Sequence, residues 1–572
     1  MQKNCKNCKK DFEIDKEDLD FYEKMKALAP NYCPPCRMAR RLCFRNERTL
    51  YKRTCSKSGK QVISIYPENT PFPVYDQHVW WGDEWDAIDY GQDYKPNRSF
   101  FEQFLELKNK VPRISLLNIN SVNSEYCNNV EDHKNCYLVF AAQLNEDCMY
   151  GRLMYRNKFA VDSDFIQDSE LCYECIDSRK CHKCLYSENC EACIDLLFCF
   201  DMRDCQNCIF STNLRHKKYH IFNQPVSKEE YEQKKKEIFS SYAKLEEAEK
   251  EFEDLKKLGL VKFSHQVKCK NATGDYMYNC HDVVRGFDTE DAKNCKYVAD
   301  AEGPIDSYDL NNTYYKPELC LDSMGMLQTY NVKHCAYTLY SSNSEYCDSL
   351  NNSDSCFGCV GLKKKKYCIL NKQYSKEEYE KLKEQIIESM KKEGVYGDFS
   401  PPSLSPFGYN ETLAMEYFPM SEKEAKEKNF NWQKETSGTY GKETIKEENM
   451  PQTIEEVTED PPDGRAGILN QVLVCKDCKK NFRITKSEFD FYKRMNIPLP
   501  HKDFECRHQD RMKKRNPRQL WRRACMCGSA GSPQATANHG HEGKCLNEFE
   551  TSYSPDRPET VYCETCYQQE VS

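Results

Sequence analysis

From Cys172 the chain reads CYECIDSRKCHKCLYSENCEACIDLLFCFDMRDCQNC, with a cysteine at every ninth residue. Cys172, Cys181, Cys190, Cys199 and Cys208 share one phase, and Cys175, Cys184 and Cys193 another. The interval returns at Cys127/Cys136, Cys347/Cys356 and Cys359/Cys368. A short fixed period stacks equivalent residues in ladders, so this pattern predicts a parallel β-solenoid with one or two nonapeptides per coil. Cysteine is small and apolar enough to fill such a core. Chelation along the ladder is disfavoured, because residues i and i+3 of a strand point to opposite faces.

A second constraint is duplication. Laid over itself at an offset of 470, the chain matches without a gap for about fifty residues: CKNCKKDFEI meets CKDCKKNFRI, and LYKRTC meets LWRRAC. In the first copy Cys5/Cys8 and Cys33/Cys36 form two knuckles at the spacing of a four-thiolate zinc site. Pro34 and Pro35 stand where a helix would begin. The second copy has Cys475, Cys478 and Cys506, with Asp503 in place of Cys33, which predicts a weaker site of three thiolates and one carboxylate; His501 and His508 are alternative ligands.

Beyond these modules the offset becomes 487, and Cys545, Cys563 and Cys566 face Ser58, Asp76 and Val79. Three cysteines lost together point to one further zinc site, with His541 as the favoured fourth ligand and Cys525, Cys527 or His539 as rivals. Cys525 and Cys527 could instead hold an additional ion. The expected cofactor is therefore Zn2+, about three ions. Thirty-five cysteines in a chain without an apolar N-terminal run suit metal sites and buried thiols in the cytoplasm better than a disulfide framework.

Net charge is −8, yet Gln471 to Cys525 holds sixteen Lys/Arg against six Asp/Glu. Arg37, Arg41, Arg45 and Arg48 recur as Arg507, Arg511, Arg515 and Arg518, one helical face in each copy, with Lys514 beside the second. Like charges at i, i+4 oppose helix formation, so the stripe requires a partner. Phosphate contact with a nucleic acid is one reading; pairing with the acidic middle of the same chain is the other. Aromatic residues between Val74 and Phe104 lie among acids, which favours packing over base stacking.

A third repeat, KKYHIFNQPVSKEEYEQKKKEI against KKYCILNKQYSKEEYEKLKEQI, lies 148 residues apart and predicts that each array ends in a Ser-capped helix. The expected class is mixed and mainly β: two treble-clef/zinc-ribbon modules flanking a Cys-rich parallel β-solenoid with capping helices. The expected segments are a treble-clef-like module (1–58), a degenerate ribbon and aromatic segment (59–115), array one (116–228) and a helical segment (229–262). Array two (263–374), a capping helix (375–394), a docking segment (395–432), a flexible linker (433–470), the second module (471–524) and a C-terminal ribbon (525–572) follow.

The knuckle-helix text CKNCKKDFEI, FYEKM and CPPCRMARR resembles the bacterial zinc-ribbon domain. The whole arrangement, with YSKEEYE, SPFGYNET and SYSPDRPETVYCETCYQQEV, is similar to large uncharacterised bacterial zinc-binding proteins. That resemblance implies zinc and architecture and brings no reaction. The expected function is a non-enzymatic zinc scaffold engaging nucleic acid or a ribonucleoprotein through its basic helices. A protein adaptor using the solenoid face is the alternative, and a thiol or redox enzyme a distant third; no membrane association is expected.

Overall fold

The computed structural model describes residues 1–434, 438–459, 466–528 and 545–571. They form two compact units. One contains 1–117, 264–436 and 518–520, and the other 118–263, 437–517 and 521–572. Each unit thus holds one copy of the duplicated Cys-x-x-Cys module and one array, in opposite chain order: module before array in the first, array before module in the second.

In the second unit successive stretches of chain lie parallel, and the pairing interval is twelve residues: Val122 bridges Lys134, Lys134 bridges Glu146, and Glu146 bridges Lys158. The expected coil of one or two nonapeptides is corrected to twelve residues. Every third residue adopts positive φ, as at Asp147, Tyr150, Leu153 and Arg156, so each coil has four sides of three residues. A left-handed non-glycine residue costs about 1–2 kcal/mol, and the ladder on both sides must impose it. Asn and Asp, which tolerate this conformation best, occupy many corners, including Asn123, Asn135, Asp162 and Asp177.

The residue after each corner points inward. Cys148, Met154, Ala160, Ile166, Cys172, Cys175 and Cys181 are all buried. The lumen is narrow: a Cβ on Gly151 would meet the Met154 sulfur at 2.1 Å and the Ser163 carbonyl oxygen at 2.4 Å. Small side chains with a polar atom solve a second problem as well, because inward backbone groups must find partners. The Cys175 thiol donates to the Cys184 carbonyl at 3.1 Å, and the Cys199 thiol to that of Cys208 at 3.4 Å. Ser163 and Ser178 hydroxyls accept from the N–H groups of Cys175 and Cys190, twelve residues on, at 3.2 and 3.1 Å. The nine-residue period is therefore a hydrogen-bond period inside a twelve-residue coil.

Outside, a ring ladder of Tyr186, Phe198, Phe210 and Phe222 stacks at centroid spacings of 4.7, 5.3 and 5.0 Å. Lys134, Glu146 and Lys158 alternate in charge and pair at 2.7 and 3.2 Å. Ser178→Ala is expected to lower the stability of this unit by about 1–3 kcal/mol, since it strands the Cys190 N–H. A denaturant midpoint equal to that of the unaltered chain would contradict this account of the lumen.

The first unit repeats the pattern between Gln266 and Ile369, with register slips. Gly274 and Gly286 pair after an irregularity at Ala272, and Ile305 bridges Glu318, thirteen residues on. The repeated helices Lys228–Ile238 and Lys376–Lys392 each start with a reciprocal Ser/Glu capping box. The first lies against strands Gln206–Ile209 and Lys218–Ile221, the second against Lys366–Ile369.

The stretch 395–432 lies in the first unit. Asp398 accepts from the Asn31 backbone and side chain at 3.0 and 2.8 Å. Ser405 donates to the Cys43 carbonyl at 2.7 Å. Within the stretch expected to be a flexible linker, Met450, Ile454 and Val457 are buried.

Candidate metal centres and the arginine stripes

The hairpin Gln2–Asn4/Asp11–Glu13 is closed by the turn that carries Cys5 and Cys8. The Cys5 N–H donates to the Lys10 carbonyl at 3.0 Å, and Lys9 takes positive φ. Cys475, Lys480 and Lys479 repeat that turn, the Cys475 N–H to Lys480 carbonyl distance being 2.9 Å. The second knuckle opens helix Pro34–Leu42, where Cys33 is the N-cap and makes no side-chain capping bond. Cys5, Cys8, Cys33 and Cys36 bring their sulfurs within 4.8 Å of one another. A tetrahedral ion with bonds of about 2.3 Å needs sulfur separations of about 3.8 Å, and Cys8 and Cys33 lie 3.6 Å apart. A hydrogen bond from the Cys33 thiol pulls Cys36 down to about 5. The same bond, with burial, pushes Cys33 up.

The counterpart Cys475, Cys478, Asp503 and Cys506 is equally compact. Asp503 has two duties. Its Oδ1 caps helix Phe504–Lys514 by accepting from the Glu505 and Cys506 N–H groups at 2.8 and 3.0 Å. Its Oδ2 accepts from the Cys478 thiol at 2.8 Å. Burial opposes its ionisation, but these donors hold the Asp503 carboxyl below its usual range. Neither expected substitute ligand fits. His501 stacks on Tyr242 at 3.5 Å between centroids, and buried His508 bonds Asp164 at 3.1 Å.

The third cluster is Cys525, Cys527, Cys545 and Cys566, all buried. Cys563 stands beside it, its sulfur 4.0 Å from that of Cys545, and its N–H donates to the Cys525 sulfur at 3.3 Å. Cys525 and Cys527 therefore belong to this centre and not to a separate ion. The match of Cys525 to the retained Cys55 at offset 470 was the available signal, while Cys527 falls on Lys57. The expected ligands His541 and His539 lie outside the described residues. In the first copy the degenerate equivalent persists around Cys55, whose sulfur accepts from the Ser58 and Asp76 N–H groups at 3.4 and 3.2 Å.

The arginine stripes face inward. Arg37 pairs with Asp309 at 2.8 Å, and Arg41 with Asp322 at 2.5 Å and with the Asn311 side chain at 2.8 Å. Arg507 pairs with Asp162 at 3.0 Å. Arg511, fully buried, pairs with Asp164, Glu174 and Asp162 at 2.7, 3.0 and 3.2 Å. Arg515 meets Asp177 at 2.9 Å and Lys514 meets Glu188 at 3.7 Å. Arg45 is buried against Glu47, half-buried Arg48 lies just beyond it, and Arg518 pairs with Asp288 and Asp300. The expected phosphate contacts through these side chains are corrected: guanidinium groups held inside the protein cannot neutralise an external backbone.

Pitch explains the spacing. Four helical residues rise about 6 Å, and stacked strands repeat about every 4.8 Å, so arginines four apart reach successive coils. The two interfaces correspond position by position. Arg37/Asp309 matches Arg507/Asp162, and Arg41 with Asn311 and Asp322 matches Arg511 with Asp164 and Glu174. The array offset changes from 147 to 148 across the thirteen-residue coil. Tyr297 and Tyr150 hydroxyls likewise donate to Asp18 and Glu488, at 3.5 and 2.7 Å.

Among the described residues, no helix is long and apolar enough to cross a membrane. No protein-family model and no curated protein matches the chain; what stands behind the zinc-ribbon resemblance is three Cys-rich clusters whose geometry can hold metal ions.

Proposed function

We propose that this protein is a non-enzymatic zinc-stabilised scaffold, in which treble-clef-like modules clamp two short β-solenoids whose outer faces receive a protein partner. The observation that carries the reading is the burial of both arginine stripes against array carboxylates, which makes each module a clamp on its coils. Zinc is the ion of choice for three closed shells of thiolate and carboxylate, because it has no redox chemistry and accepts tetrahedral sulfur.

A nucleic-acid reading draws its support from cations that stay outside. Lys513 and Arg522 are 73% and 79% exposed, though each has a carboxylate partner, Asp510 and Glu548. A thiol-enzyme reading has little to draw on: outside the metal clusters every cysteine is buried except half-buried Cys269. Elemental analysis of purified protein is expected to give about three zinc ions per chain. Retention on nucleic acid at low salt is expected to be absent in the intact chain. Salt-sensitive retention abolished by Lys513→Glu with Arg522→Glu would overturn the adaptor reading in favour of nucleic acid.

A further inference from the structure

The C-terminal centre has one thiol too many. Cys525, Cys527, Cys545 and Cys566 are enough to fill four positions around an ion, with their sulfurs mutually within 4.8 Å. Cys563 is a fifth, at contact distance from Cys545 and steadied by an Asn547 side-chain N–H at 3.5 Å. The N-terminal centre has no such excess: its two knuckles supply four sulfurs for four positions. Nor is the fifth thiol forced by the lumen-filling logic of the arrays, since it sits on the ribbon beside helix Glu564–Val571.

We infer that the C-terminal centre is a metal-exchange site in which Cys563 displaces one of the four resident thiolates. This rests on the zinc reading above. In the exchange the Cys563 sulfur forms a new bond to the ion as one resident sulfur leaves. The proton released by Cys563 is taken up by the departing thiolate, and no oxidant or reductant is needed. Zinc can expand its shell by one ligand in passing, so the substitution avoids a three-coordinate ion. The thiol set free is then available to hand the ion to a soft, multidentate acceptor. A closed four-thiolate site lacks this associative route and releases its ion slowly.

The test uses the full chain loaded with zinc, with a chromophoric pyridylazo chelator as acceptor. Release at each centre is assigned by alkylating freed thiols and mapping the peptides. Cys563→Ser is expected to keep all three ions and to slow release from the C-terminal centre roughly tenfold. Cys563→Ser with Cys527→Ser is expected to drop to two ions. Loss of one ion in Cys563→Ser alone would make Cys563 an obligate ligand and overturn the inference, as would an unchanged release rate. Should the variant fold poorly, limited alkylation of the loaded wild-type chain replaces it: Cys563 is expected to react first among the ribbon cysteines, and prior reaction of another would also overturn the proposal. Absence of any ion at this centre in the wild-type chain would instead contradict the zinc reading itself.

Discussion

Arg511→Met is expected to destabilise the second unit by about 3–5 kcal/mol, the cost of stranding buried carboxylates. Asp162, Asp164 and Glu174 all lose a partner at once, and the first two are fully buried. The loss should appear as faster hydrogen exchange in the coils from Tyr150 to Glu188. Lys513→Met, two residues further along the helix and 73% exposed, is expected to change stability by less than about 0.5 kcal/mol. The contrast matters because a basic stripe serving an external phosphate would behave the other way, with Arg511 dispensable for folding. Equal effects of the two substitutions would remove the clamp reading. The buried pairs need not add net stability over a well-packed apolar interface; what they supply is register, since each guanidinium selects one coil.

The second large effect concerns the order of metal release. Under a slowly increasing chelator concentration, the centre at Cys475, Cys478, Asp503 and Cys506 is expected to empty before the one at Cys5, Cys8, Cys33 and Cys36. Thiolate is the softer ligand for zinc, and a carboxylate that also caps a helix divides its oxygens between two duties. Asp503→Cys is expected to tighten the second centre by roughly tenfold or more, about 1.4 kcal/mol per factor of ten. It should also remove a cap contribution of about 1 kcal/mol, so apo-protein stability falls while metal affinity rises. Simultaneous release from both centres in the wild-type chain, followed by alkylation of each set of cysteines, would show that Asp503 does not weaken the site.

Much of the candidate site was legible in the text of the chain. Two Cys-x-x-Cys knuckles specify a metal shell by local geometry alone, and a gap-free offset carries that geometry to the second copy, Asp503 included. The C-terminal cluster was less legible, because five cysteines compete for four positions and spacing does not rank them. The arrays were legible as repeats but not as coils. A nine-residue interval of cysteines reports hydrogen bonds such as those from the Cys175 and Cys199 thiols to the carbonyls nine residues on, and the twelve-residue pairing becomes visible with the neighbouring coil in place.

Sequence by itself therefore determined the local matters: knuckles, helix caps at Ser227 and Ser375, the small inward residues, and the duplication of modules and arrays. Tertiary structure alone decided which parts belong together. Both stripes carry the same arginines and both arrays meet them with acids, although Asn311 and Asp322 stand where the other array has Asp164 and Glu174, so the sign of the charges alone did not assign module to array. Compact packing within each unit settled it, joining residues 1–117 to the later array and 437–517 to the earlier one. Burial turned a basic surface pattern into an interior one, since a guanidinium reads the same in a sequence whether its counter-charge is a phosphate or an aspartate 272 or 345 residues away, as for Arg37 and Arg507.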